Sequence, residues 1–254
     1  MTAPLLIAGD SHTVALVGFT MSVPVEEPPV VRPVEGHDGL CALHGPWPRR
    51  DYYWEALIGA AETHAVAISW GGNEHNGLFL IEGNRPFDFV YNRNPDLGLD
   101  ERAEIVPEAL VKASFTDLAK LGPILAQLAE HQRHPVIVIG PPPPKPDGER
   151  IWQCFFGPGA EAEAYFCNII AQRGLVPEDV RVTSAGTRLK LWLLVQDDYE
   201  RIARENGAVF LPPPAVCVDP DGFLRREYSA EDSTHANSAY GAVVLAELKE
   251  LIGE

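Results

Sequence analysis

The sequence predicts an α/β protein in which a parallel sheet is covered by helices on both faces. Three observations carry this. Four short apolar segments rich in branched residues, at 5–8, 65–69, 136–139 and 208–211, have the length of buried strands. Stretches with helical spacing or helix-end signals separate them. Each apolar segment also runs straight into a loop of polar or rigid residues: Gly-Asp-Ser-His, Trp-Gly-Gly-Asn, Gly-Pro-Pro-Pro-Pro and Pro-Pro-Pro. Those groups therefore gather at one edge of the sheet.

In chain order, the strand at 5–8 comes first. A further strand is expected within 22–34, where Glu and Pro blur the pattern, which brings the sheet to about five strands. Helices are expected at 51–63, 107–133, 160–173 and 197–206, the last stopping before Gly207. The final helix, 238–252, carries Ala242, Val243, Leu245, Leu248 and Leu251 at helical spacing, so it buries one face. Two stretches break the rhythm, at about 76–106 and 141–159. Loops of that length in a compact domain are usually functional or disordered, and both leave from strand ends that carry polar motifs, so substrate-binding walls or lids are expected rather than disorder. The aromatic groups Trp47, Tyr52, Tyr53, Trp54 and Phe87, Phe89, Tyr91 read as core packing or a small hairpin, with a pocket lining as the alternative. No repeat or linker divides the chain, so residues 1–254 are expected to form a single domain.

A length of 254 residues with 46% hydrophobic content supports a sizeable core. The 36 acidic and 20 basic residues give a net charge of −16, which argues against a nucleic-acid backbone or an anionic membrane surface as partner; solubility alone accounts for such a charge, and a neutral or cationic substrate fits it better than an anionic one. Cys41, Cys154, Cys167 and Cys217 lie far apart with no C-x-x-C pair, so neither a zinc ribbon nor a disulfide framework is indicated. The N-terminus has no basic region, its apolar stretch is short, and no apolar run approaches the roughly 18 to 20 residues that span a bilayer. A cytoplasmic protein without membrane insertion is expected.

Chemistry concentrates in three blocks. Gly9-Asp10-Ser11-His12 follows the first strand and puts a hydroxyl at the carboxyl edge of the sheet, where open α/β folds bind ligands. Serine is a poor nucleophile until a base takes its proton, and that base needs an acidic partner to hold its tautomer. His235 and Asp232 can supply both: three residues apart in a tight turn or the first turn of a helix, the carboxylate can reach Nδ1 and leave Nε2 free for Ser11. Acyl transfer also needs donors aimed at the developing oxyanion, and the Ser11 N–H with the Asn73 amide are suitable. Each block has a plainer reading, with Ser11 as a helix cap and Asp232 and His235 as a surface turn. Asn237 is expected to cap the last helix or tie its loop. Glu74, His75 and Asn76 with His12 lack the paired spacing of zinc motifs, so no metal site is expected.

With these blocks the chain resembles the SGNH hydrolases, also called the GDSL esterase and lipase family. Gly9-Asp10-Ser11, Gly71-Gly72-Asn73-Glu74 and Asp232-Ser233-Thr234-His235 match that family's blocks in order and in their places beside a strand or helix. The resemblance implies a three-layer α/β/α flavodoxin-like fold and no metal or organic cofactor. It implies Ser11 as nucleophile, His235 as general base and then acid, Asp232 as its orienting carboxylate, and Asn73 as an oxyanion donor. The family's second block adds a glycine N–H to the oxyanion hole, for which Gly39 or Gly45 is the candidate. Glu74 replaces the family's usual Asp as a structural hydrogen-bonding residue. His12 stands where Leu is more usual and is similar in this to members acting on O-acyl groups of carbohydrates. His12, Gly72 and His75 are the candidate substrate-binding residues. The expected function is a serine esterase releasing a small, acetyl-like acyl group, possibly from a carbohydrate ester. O-acyl transfer by the same triad and a catalytically silent binding module are the alternatives.

Overall fold

A computed structural model describes residues 3–18, 28–45, 49–83, 85–157, 164–176 and 179–253. A mixed sheet of six strands lies at its centre: β1 (Leu5–Gly9), β2 (Val30–Pro33), β3 (Leu40–His44), β4 (Ala65–Ser69), β5 (Val136–Ile139) and β6 (Val209–Leu211). Their spatial order is β6-β5-β4-β1-β3-β2, all parallel except the edge strand β2, which runs antiparallel to β3.

Alternation along the strands divides the core in two. Leu6, Ala8, Val66, Ile68, Val136 and Val138 face one layer of helices. It is built from α2 (Asp51–Ala60), α6 (Leu121–His131) and α9 (Ala185–Glu205). Leu5, Ile7, Ala65, Ala67, Ile137 and Ile139 face the other. There α1 (Val14–Val17) packs against α10 (Ser238–Ile252) so closely that a Cβ on Gly241 would lie 1.7 Å from the Ala15 carbonyl oxygen. The result is the three-layer α/β/α arrangement.

Among the parallel strands, β3 and β4 flank β1 on opposite sides. The direction of winding therefore reverses between β1 and β4, which opens a crevice at their carboxyl ends. The loops after these two strands carry Ser11 and Asn73.

The sheet has six strands rather than about five. Leu40–His44 was not expected as a strand, yet it pairs with β1 along Leu5↔Leu40 to Ile7↔Ala42. The strand expected in 22–34 is found at Val30–Pro33, and residues 22–27 lie outside the described ones. The expected helix at 107–133 is three: α4 (Glu108–Ala113), α5 (Thr116–Ala119) and α6. It breaks because the Glu74 carboxylate accepts from the N–H groups of Thr116, Asp117 and Leu118, which fixes a new helix start there. The helix expected at 197–206 starts at Ala185, where the Ser184 hydroxyl caps it through Thr187 N–H.

Residues 141–145 are buried, and α7 (Gly148–Phe156) follows, capped by Asp147; positions 158–159 lie outside the described residues. The first excursion opens with α3 (Glu74–Phe79), and its short strands, Phe87–Asp88 with Glu104–Ile105, pair parallel and so form no hairpin. Phe89, Tyr91 and Tyr53 are core residues; Trp47 lies outside the described ones. The helix expected at 160–173 is α8 (Ala164–Gln172), with 160–163 outside the described residues. Among the described residues no helix is long and apolar enough to cross a membrane.

Candidate active site

The site is built from the ends of β1, β3 and β4 and from the loop before α10. Gly9 ends β1 with φ +140° and pairs with Ser69, whose carbonyl oxygen would lie 1.8 Å from any Cβ, so only glycine fits. Two groups lock this corner. The Tyr53 hydroxyl accepts from Gly9 N–H (3.0 Å) and donates to the Leu43 carbonyl (3.3 Å). Burial pushes its pKa up to about 12, so it remains a donor. Arg49 donates through Nε to the Gly9 carbonyl (3.0 Å) and through Nη1 to the Gly45 carbonyl. Together they tie β1 to β3 at the carboxyl edge.

Asp10, not Ser11, is the cap of the turn that follows. Its Oδ1 accepts from His12 N–H (3.0 Å), while Oδ2 reaches across the crevice to Gly71 N–H (3.1 Å), joining the β1 and β4 loops. Burial raises the Asp10 pKa to about 6 against the opposing pull of these N–H donors and of His235 and Arg49. Ser11 is left exposed at the start of the turn.

The Asp232–His235 loop is closed on itself. Ser229 and Ala236 form an antiparallel bridge, and Ala230 N–H donates to the His235 carbonyl (3.1 Å). Asp232 Oδ1 accepts from the N–H groups of Thr234 (3.0 Å) and His235 (2.7 Å), as Asp does in a turn. Asn237 caps α10 through Ala239 and Tyr240 N–H, and its amide ties back to the Glu227 and Ser229 carbonyls. Held this way, Asp232 Oδ2 lies 2.8 Å from His235 Nδ1, and His235 Nε2 lies 2.9 Å from Ser11 Oγ, across 224 residues of sequence. Burial raises the Asp232 pKa, but His235 and Lys145 outweigh it, so the carboxyl ends below the usual carboxylate range.

Asn73 heads α3, and its Oδ1 accepts from Asn76 Nδ2 at 2.8 Å. With the oxygen engaged by Asn76, the Asn73 Nδ2 is the donor of the amide, and the side chain also interacts with His12. Glu74 turns away to α5, a structural role. His12 is buried, its ring centroid 5.1 Å from that of His235, and burial with the nearby His235 and His75 holds it neutral, well below the usual imidazole range. His75 is buried as well, and its pKa falls to about 4 for the same first reason. Gly72 is buried against Pro141 and the Tyr199 hydroxyl.

The two glycine candidates separate cleanly. Gly39 precedes β3, and its carbonyl accepts from Leu5 N–H (2.8 Å) at the amino end of the sheet, a strand length from Ser11. The expectation for Gly39 is therefore corrected: parallel pairing of β3 with β1 puts it at the wrong edge. Gly45 follows β3 at the edge where β1 ends in Gly9.

By fold and by motif the chain resembles the SGNH hydrolases. No protein-family model and no curated protein matches it. Among solved structures it is similar to a catalytic mutant of an acetylxylan esterase from Geobacillus stearothermophilus, at 13% identity over 99% of this chain and 94% of that one, with TM-score 0.47. A carbohydrate acetylesterase from Sinorhizobium meliloti is similar at 15% identity over 97% and 98% of the two chains, with TM-score 0.42. Likenesses this distant carry no argument about activity.

The sequence reading missed the supports of the site. Lys145, Arg49, Tyr53 and Asn76 act through carbonyls and through other side chains, and only folding brings them there. Among the described residues no group of three or more His, Cys, Asp or Glu side chains is arranged to hold a metal ion.

Proposed function

We propose that this chain is a serine hydrolase that removes a small, acetyl-like acyl group from an oxygen ester through an acyl-enzyme on Ser11. The observation that supports it is the continuous hydrogen-bonded line from Asp232 through His235 to the exposed Ser11 hydroxyl. In this reading His235 Nε2 takes the Ser11 proton as Oγ attacks the acyl carbon, and Asp232 stabilises the imidazolium that forms. The oxyanion accepts from Ser11 N–H, the Asn73 amide and, as the third donor, Gly45 N–H. Collapse expels the alcohol, which leaves with the proton from His235. Water then repeats the sequence on the acyl carbon and frees Ser11.

A carbohydrate hydroxyl is the alcohol proposed: a net charge of −16 disfavours anionic esters and is compatible with a neutral one such as an acetylated sugar. This agrees with the names of the two similar enzymes and takes no support from them.

The test is intact-protein mass spectrometry across a panel of short-chain aryl and sugar esters. An acyl adduct on Ser11, absent in Ser11→Ala, together with a fall in turnover of several orders of magnitude in that variant, is expected. Unchanged turnover in Ser11→Ala would overturn the reading.

A further inference from the structure

One buried cation touches the triad loop. Lys145 Nζ donates to the carbonyls of Ala230 (2.7 Å) and Asp232 (2.6 Å) and lies 3.3 Å from Asp232 Oδ1. Its side chain is only 7% exposed. The segment that carries it is rigid: residues 141–145 are buried, four of them prolines, and the Pro141 carbonyl accepts from Trp192 Nε1 (3.0 Å) and Gln196 Nε2 (3.0 Å) on α9. Arg188, also on α9 and 2% exposed, donates through Nη2 to the carbonyls of Lys145 (2.9 Å) and Pro146 (2.9 Å). A line of contacts thus runs from α9 through Arg188 and Lys145 to Asp232, His235 and Ser11.

We propose that Lys145 is a positioning residue of the triad: its ammonium clamps the loop carbonyls, fixes the Asp232 carboxylate, and offsets part of the negative charge that Asp232 presents to His235. The proposal rests on the reading that these three residues act together. A buried ammonium is costly, and a lysine needed only to bridge two carbonyls would be replaceable by a neutral donor. Its position against Asp232 gives the charge a use. Asp232 alone favours the imidazolium form of His235; the nearby cation weakens that pull, so His235 loses its proton, and becomes a base, at lower pH.

Other charges face this group. From the turn after β1 come Asp10 and the neutral His12, with His75 of α3 behind it. From α7 come Cys154, whose thiol donates to the Glu231 carbonyl, and Arg150, which is paired with Glu231. A cavity of about 440 Å³ shared by Lys145 and Asp232 adds Asp147, Asp219 and Glu227 against Arg225 and Arg226. Arg150 already has its own carboxylate, and Arg225 and Arg226 are exposed. Among the described residues, Lys145 is the lysine or arginine in contact with Asp232.

The test titrates His235 by NMR in the wild type, Lys145→Met, Lys145→Gln and Lys145→Arg, alongside the pH profile of kcat/KM on a short-chain aryl ester. Lys145→Gln keeps a donor for the carbonyls where Lys145→Met keeps none. Both neutral variants should raise the His235 midpoint by about 0.5 to 1 pH unit. The acid limb of kcat/KM should move with it, and Lys145→Arg should stay within about 0.2 unit of wild type. A midpoint that does not move in the neutral variants, or moves equally in Lys145→Arg, overturns the proposal. The NMR titration reads it without any turnover, so absence of ester hydrolysis would count against the proposed function alone.

Discussion

Lys190 Nζ lies 2.6 Å from Asp88 Oδ1, and both side chains are only 1% exposed. The pair joins the first third of α9 to the excursion that opens with α3. Asp88 also accepts from Phe89 N–H (2.8 Å) and Asp100 N–H (2.9 Å), while Lys190 donates to the Gly98 carbonyl (3.1 Å). Further along α9, Asp197 accepts from the Tyr91 hydroxyl (2.7 Å) and is paired with Arg93 (2.6 Å). Helix α9 thus anchors residues 88–100 through Lys190 and Asp197, while it anchors Lys145 through Arg188.

Removing one member of such a pair leaves a buried charge without its partner. Lys190→Met should therefore cost about 3 to 5 kcal/mol in urea unfolding. Asp88→Asn in the same chain removes that stranded charge and keeps an acceptor for the backbone. The double variant should be more stable than Lys190→Met alone by more than about 1 kcal/mol. Costs that simply add would show that the pair is not coupled.

The parallel core and the three motif blocks were legible because their signals are local: branched runs of four or five residues, and polar loops directly after them. β3 was not legible, since Leu-Cys-Ala-Leu-His is short and ends on a polar residue. Its strand state comes from pairing with β1 on one side and β2 on the other. The first half of α9 was hidden for a related reason. Arg188 and Lys190 sit at buried positions, so the apolar stripe is interrupted by charges whose partners, carbonyls and Asp88, lie far away in sequence. The break before α5 depends on Glu74, 42 residues upstream of Thr116. Such supports are three-dimensional facts with no local sequence signature.

Buried neutral imidazoles should make the fold sensitive to acid. His75 falls from 6.5 to about 4 on folding, so between those values the unfolded chain binds a proton that the native state refuses. Its contribution is complete above pH 6.5 and is lost as pH falls through 4, a change of about 3 kcal/mol. Asp10 works in the opposite direction: raised from 3.8 to about 6, it gives stability below pH 3.8 that is lost as pH rises through 6. The two overlap, so a comparison isolates His75 better than the wild-type curve does. Relative to His75→Gln, the wild type should gain stability between pH 4 and 6.5 in urea titrations at several pH values. Parallel curves would show that His75 does not titrate differently on folding.

The hydrogen bond from Asn76 Nδ2 to Asn73 Oδ1 (2.8 Å) leads to the last prediction. An amide can donate to an oxyanion only if its nitrogen faces the site, and an amide with a free oxygen is about as well placed when flipped. In the arrangement found here Asn76 donates to that oxygen and so favours the orientation in which the Asn73 nitrogen faces the site. Asn73→Ala should lower kcat by about 100- to 1,000-fold with little change in KM, as expected for a donor used mainly in the transition state. Asn76→Leu leaves the donor in place but frees its orientation, so kcat should fall by a smaller factor, about tenfold. In the Asn73→Ala background, Asn76→Leu should then have little further effect, because there is no amide left to orient. Steady-state kinetics of the two single variants and the double variant on a short-chain aryl ester measure this directly. A full tenfold loss from Asn76→Leu in the absence of the Asn73 amide would assign Asn76 a role independent of Asn73.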